Sequence, residues 1–120
     1  MTVLPLPEIF FMEKNFVAVN YITCSPEYRG RFEELFSTRA HAIDKMPGFI
    51  EMHVLKPNKE DDNYLIVSYW ENENSFKSWT QSEAFLEGHK RGFADIAAAK
   101  AEGKPAPMSS DFKTYKIIAR

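Results

Sequence analysis

Four short segments, residues 16–23, 49–55, 64–70 and 111–119, are rich in β-branched and aromatic residues, and only two helical stretches lie among them. That inventory constrains the fold more than any other feature, because two helices can cover only one face of a four-stranded sheet. Residues 16–23 read FVAVNYIT, with Phe16, Ala18, Asn20 and Ile22 on one face and Val17, Val19, Tyr21 and Thr23 on the other. Ser25 and Pro26 then supply an N-cap and a first-turn proline. Tyr28, Phe32, Leu35, Phe36, Arg39 and Ile43 recur at three and four, which predicts a helix through about Lys45 that Met46-Pro47-Gly48 stops. The polar residues 56–63 form a hairpin loop between the second and third strands. A second helical region runs from residues 72–75 to about Ala101, broken near Thr80-Gln81, where Ser82 can cap a new start. Residues 103–110 form a loop before the last strand, 111–119.

The resulting order, β-α-β-β-α-β, is the split βαβ pattern of the ferredoxin-like α+β class, with an antiparallel sheet. The face that the helices leave open carries Val17, Val19, Tyr21, Leu65, Val67, Tyr69, Tyr115 and Ile117. Left wet, it exposes a large apolar patch, and sheet-to-sheet homodimerisation is the expected remedy.

Composition removes several function classes. A chain of 120 residues, 44% hydrophobic and 27% charged, suits one globular domain. We assign it to residues 15–120, with 1–14 as an N-terminal extension holding a short edge strand at 9–12. That extension carries Pro5, Pro7 and Glu8 and lacks a basic n-region, so no signal peptide is expected. No run approaches the roughly 18 apolar residues of a membrane span. Fifteen Lys and Arg against seventeen Asp and Glu leave no electrostatic footprint for nucleic acid. Cys24 is the only cysteine and has no disulfide partner within the chain, so the expected setting is reducing and cytoplasmic. Ten Phe, five Tyr and two Trp are more ring surface than so small a core needs.

Asn20 lies in line with Phe16, Ala18 and Ile22. A polar amide on a core-facing row either finds hydrogen-bond partners or faces a pocket, and both readings stand from the residues alone. His89 falls on the helical stripe Phe85, His89, Phe93, Ile96 and is either packing or a ligand. Trp79 precedes it by ten residues, which on one continuous helix turns the two apart, whereas a break near Gln81 lets both line one cavity. His41 is expected on a solvated helix flank and His53 on a mixed strand face; neither shares a zinc-ligand spacing with His89. Cys24 lacks a nucleophile context and reads as structural. Phosphate-binding glycine loops and a G-x-S-x-G elbow are missing from the sequence. A single imidazole in an apolar, aromatic pocket is what a haem site requires, with the opposite iron face left for dioxygen.

The segment 70–90, WENENSFKSWTQSEAFLEGHK, resembles the W-x5-F-x2-W-x2-S-x2-F-x3-H-K segment of the IsdG-type haem-degrading monooxygenases of the antibiotic-biosynthesis-monooxygenase superfamily. Trp70, Phe76, Trp79, Ser82, Phe85, His89 and Lys90 fall in register. The likeness continues through Asn20, Thr38-Arg39 and Gly48-Phe49 and spans about residues 16–118. It implies a dimeric α+β barrel and a site marked by Asn20, Trp79 and His89. On that resemblance His89 is the axial iron ligand, Trp79 presses on the porphyrin and ruffles it, and Asn20 donates a hydrogen bond on the distal side. Phe85 and Phe93 flank the ligand. The implied reaction opens the porphyrin ring with O2, an external electron donor and a reductase, with haem as both substrate and oxygen-activating cofactor. Lys90 and Arg91 are read as solvated. Two other readings fit the same fold: a cofactor-independent quinol or polyphenol monooxygenase, and a non-catalytic haem-binding module.

Overall fold

Four strands and three helices make up the computed structural model, which describes residues 13–120: β1 (Phe16–Cys24), α1 (Arg29–Ser37), β2 (Phe49–Leu55), β3 (Tyr64–Trp70), α2 (Glu73–Thr80), α3 (Glu83–Ala101) and β4 (Met108–Lys116). The expected edge strand at 9–12 lies outside the described residues. The strands form one antiparallel sheet in the order β2-β3-β1-β4, which is the ferredoxin-like arrangement with the second helix split in two. Among the described residues no helix is long and apolar enough to cross a membrane.

Register fixes which side chains share a face. Ala18 pairs with Ser68, Asn20 with Ile66 and Phe112, and Ile22 with Tyr64, so these residues point together toward the helices. The buried residues beneath the helices divide into two clusters. One gathers Ala18, Ile43, Trp70, Phe76 and Trp79, and the other Ile22, Tyr28, Phe32 and Tyr64. Asn20 sits on β1 between Ala18 and Ile22, where one cluster gives way to the other.

The second helical region breaks where the sequence predicts. Ser82 is the N-cap of α3, its Oγ accepting from the Phe85 amide at 3.1 Å and donating to the Trp79 carbonyl at 2.7 Å. Asn72 caps α2 in the same way through the Ser75 amide. Gly48 opens β2 at φ +80°, and a Cβ there would lie 2.1 Å from Ser75 Oγ, so only glycine lets β2 pass beside α2.

Two elements, the first helix and the last strand, differ from expectation in their bounds. The first helix ends at Ser37 rather than Lys45. Both Ser37 Oγ and Thr38 Oγ1 donate to the Glu34 carbonyl, and His41 then takes φ +58°, a left-handed conformation that no helix continues through. A 3-10 turn over Ile43–Lys45 returns Ile43 to the core, so the apolar stripe is satisfied without a continuous helix. The last strand starts at Met108 rather than Asp111 and stops at Lys116, because β1 pairs as far as Cys24 with Met108 and the Ser25 amide donates to the Pro107 carbonyl. Ile117 consequently lies beyond the strand.

Helices α1 and α3 are joined by a polar clamp. The Tyr28 hydroxyl donates to Asp95 Oδ2 at 2.7 Å, and Arg31 Nε donates to the same oxygen at 2.9 Å. The Arg31 hydrogen bond, aided by that of Tyr28, holds the Asp95 carboxyl below its ordinary value. A depressed folded pKa contributes stability above the unfolded carboxyl value of about 3.9, and that contribution is lost as pH falls through the folded pKa. Thermal melts are therefore expected to lose Tm below about pH 4, and Asp95→Asn to lower Tm at neutral pH while flattening this acid limb. An unchanged acid limb in Asp95→Asn contradicts the assignment.

The opposite sheet face carries Val17, Val19 and Tyr21 beside Leu65, Val67, Tyr69 and Tyr115, and no described element covers it. Tyr115 and Leu55 keep nearly half their surface exposed there. Charged groups rim it: Lys14 pairs with Glu51, and Lys113 lies over the Tyr21 ring.

Candidate functional site

Between the two core clusters the helices and sheet enclose a cavity of about 500 Å³. This is within the range of about 300–1,000 Å³ usual for small-molecule sites. Its floor is the sheet face, with Ala18, Asn20 and Ile22 from β1, Ile66 and Ser68 from β3, Met52 from β2 and Phe112 from β4. Its roof is α2 and α3, contributing Trp79, Phe85, Gly88, His89, Phe93 and Ile96. The 39–43 segment and the end of α1 close one side. All five residues singled out from the sequence, Asn20, Trp79, Phe85, His89 and Phe93, line this one cavity.

His89 stands in an aromatic stack. Its ring centroid lies 4.0 Å from that of Phe85 and 5.5 Å from that of Phe93, both stacked, and 6.1 Å from Trp79 at 42°. Its Nδ1 lies 2.7 Å from the Phe85 carbonyl oxygen. A carbonyl can only accept, so Nδ1 carries the proton and Nε2 bears the lone pair. No described residue takes that lone pair. A ring with its tautomer set by a backbone carbonyl is the usual form of a histidine metal ligand. No group of three or more His, Cys, Asp or Glu gathers among the described residues, so an ion bound at Nε2 would find too few protein ligands to fill its shell and would bring most of them with it. A metalloporphyrin has that property, and the apolar, aromatic lining suits its flat body.

The helix break is what brings Trp79 and His89 together. Hydrogen bonds run from the Trp79 carbonyl through Ser82 to the Phe85 amide, and from the Phe85 carbonyl to His89. Trp79 is buried and meets Phe85 edge-on at 5.4 Å. A Cβ on Gly88 would stand 3.4 Å from Trp79 Cη2, an ordinary contact distance, so α3 lies close against the indole one residue before His89. Asn20 is half-buried on the floor, and its amide makes no hydrogen bond to any described residue; of its two readings, the structure gives the one that faces a pocket.

Three features lay beyond the sequence reading. His41 lines the cavity wall rather than a solvated flank, because the helix ends before it, and Arg39, expected on the sheet-facing stripe of that helix, lines the same wall from beyond its end. Both bind Asp44: Arg39 through two nitrogens at 2.9 and 3.3 Å, His41 through Nδ1 at 3.0 Å. Partial burial raises the Asp44 carboxyl, but these hydrogen bonds outweigh it and hold the group below its ordinary value. Phe112, which was not singled out from the sequence, joins the floor through register, since it pairs with Asn20 on the helix-facing side of the sheet. Arg91 is not simply solvated either. Its guanidinium donates to the Leu35 and Thr38 carbonyls and to Thr38 Oγ1, satisfying the open end of α1. Cys24 is half-buried beside the second core cluster, and burial pushes its thiol up, in keeping with a structural role. His53 lies on the open sheet face near Glu51, away from the cavity.

The model of the antibiotic biosynthesis monooxygenase family matches residues 15–91. A Mycobacterium tuberculosis protein named heme oxygenase (mycobilin-producing) is 32% identical over 76 residues, covering 62% of this chain and 72% of its own length. The heme-degrading monooxygenase HmoA of Bacillus subtilis is 28% identical over 109 residues, covering 87% of this chain and 92% of its own. Among solved structures, the heme-degrader MhuD from Mycobacterium tuberculosis, with two hemes bound in its active site, superposes with a TM-score of 0.63. It is 24% identical, over 88% of this chain and 97% of that one, a likeness of fold.

Proposed function

Since the chain belongs to the antibiotic biosynthesis monooxygenase family, we propose that it is a haem-degrading monooxygenase whose substrate lies between His89 on the roof and Asn20 on the floor. The observation that carries this reading is the His89 tautomer, with Nδ1–H given to the Phe85 carbonyl and Nε2 left free in an aromatic cavity. The haem-degrading activity named for relatives at about 30% identity supports the same substrate.

Bound haem supplies the redox chemistry that activates dioxygen and is itself the ring that is opened, releasing iron. The protein contributes position and environment. Nε2 of His89 would hold the haem iron, and Phe85 and Phe93 keep its ring plane by stacking. Trp79, packed against Phe85 and Gly88, would be the rigid wall against the porphyrin. The Asn20 amide would donate into the cavity from the floor. The apolar lining keeps bulk water away from the reacting ring. O2 and an external electron donor, delivered by a separate reductase, complete the reaction.

The remaining assignments belong to the same proposal. Residues 15–120 form the working domain behind an extension at 1–14, the apolar sheet face pairs two copies as a homodimer, and the protein acts in the cytoplasm.

The deciding experiment adds haem to the purified protein under air. A Soret band is expected to form and then to decay when ascorbate or a reductase is supplied. A stable band that never decays sinks the enzyme reading and leaves a haem-binding module. Turnover of a hydroquinone without haem favours the cofactor-independent reading instead.

A further inference from the structure

Ser68 is the one buried polar side chain among the described residues, at 7% exposure. It belongs to the cavity floor, yet nothing in the reading above uses it. Trp70 Nε1 donates to its Oγ at 2.9 Å, and Trp70 is fully buried. A hydroxyl carries one proton besides its lone pairs. The indole occupies the acceptor side of Ser68, while no described residue accepts the proton. Buried hydroxyls ordinarily place that proton on a partner, so one left over on a cavity floor marks where a ligand acceptor belongs.

Sheet register sets where the proton can reach. Ser68 pairs with Ala18, and Asn20 pairs with Ile66, so Ser68 and Asn20 are diagonal neighbours on the two central strands and share a face. The floor beside them is mostly apolar, with Ala18, Ile22, Met52, Ile66 and Phe112, and the further polar lining from β4, Ser109 and Ser110, lies toward the Ile22 end. Ser68 and Asn20 are therefore two adjacent polar groups on the floor across from the helix that carries His89, each with a donor that no described residue takes up.

We propose that Ser68 is a second distal hydrogen-bond donor, acting beside Asn20 on the ligand held at the iron face turned away from His89. The proposal rests on the haem reading. Trp70 occupies one lone pair of Oγ and leaves the hydroxyl proton free to be donated.

Carbon monoxide bound to the ferrous haem complex provides the probe, read by infrared spectroscopy. A donor at the oxygen of bound CO draws electron density into it and lowers the C–O stretching frequency, so removing the donor raises it. Ser68→Ala is expected to shift the band to higher frequency. Ser68→Thr, which keeps the hydroxyl, is expected to restore the wild-type position. Trp70→Phe, which deletes the indole donor but keeps the hydroxyl, separates the alternative that Ser68 only anchors Trp70. If that alternative holds, Trp70→Phe reproduces the Ser68→Ala shift. An unmoved band in Ser68→Ala, no rescue by Ser68→Thr, or the same upward shift in Trp70→Phe overturns the proposal while the haem reading stands. A wild-type protein that takes up no haem overturns the haem reading itself, and this proposal with it.

Discussion

His89→Ala is expected to leave the fold intact and to reduce haem ring opening by at least about 100-fold. Groups that merely orient a metal ligand typically cost about 10–100-fold when removed, and loss of the ligand itself should exceed that. The fold should survive because the histidine supports little else. Its side chain is half-buried, and its one hydrogen bond goes to a carbonyl four residues earlier in its own helix. Alanine is the best helix former, and the Phe85 carbonyl is positioned to keep its helical partner, so no polar group is orphaned. The ring stacking on Phe85 and Phe93 is lost, at a cost of about 1 kcal/mol. Circular dichroism melts alongside the rate of Soret decay under air with ascorbate measure both quantities. The variant should also regain part of its Soret shift when free imidazole is added, since the ligand can then be supplied from solution. Decay at the wild-type rate in His89→Ala contradicts axial ligation. Unfolding of the variant without any haem binding by the wild type means the histidine was packing.

The parts of this site that could be read from the sequence are those governed by local periodicity and capping. Phe85, His89 and Phe93 follow from a four-residue spacing, and the Trp79–His89 approach follows from Ser82 as a cap, because both are decided within one or two helical turns. Asn20 follows from strand alternation, although only the structure shows its amide without a protein partner. What escaped the sequence was set by distant contacts. The apolar stripe through Ile43 gives the same period whether the chain continues as helix or breaks and returns through a 3-10 turn. The break is made by the Ser37 and Thr38 hydroxyls and the left-handed His41, and Arg91, 53 residues after Thr38, satisfies the helix end that it leaves. That single misplacement put His41 on a solvated flank, whereas it lines the cavity wall. The start of β4 was hidden in the same manner: residues 108–110 read as loop by composition, and only pairing with the far end of β1 makes them strand. Ser68 carries no local signal at all, since a serine within an alternating strand is unremarkable until Trp70 is seen to occupy one side of its hydroxyl.

Val67→Asp is expected to convert a dimer into a well-folded monomer, the largest single effect on assembly that one substitution should produce. Val67 lies on β3 between His53 of β2 and Val19 of β1, at the middle of the uncovered sheet face. In one copy alone no described element covers this face and Val67 is only half-buried, so a carboxylate there can still reach water and the helices on the other side are undisturbed. In a two-fold dimer built on this face, equivalent residues approach each other or a self-complementary patch, and the substitution is introduced twice. Burying a carboxylate without a partner costs several kcal/mol. Two such groups of like charge should weaken association by at least about 4 kcal/mol, on the order of a thousandfold in Kd. Lys14 and Lys113 are already engaged at the rim, with Glu51 and over the Tyr21 ring, and His53, the β2 neighbour of Val67, already lies beside Glu51. Sedimentation velocity across a range of protein concentrations reads the outcome, with Ser78→Asp on the exposed side of α2 as the charge control. A wild type that sediments as a monomer throughout, or a Val67→Asp protein that stays dimeric, rules out this face as the interface. The exposed apolar surface of Tyr115 and Leu55 would then call for a partner other than a second copy.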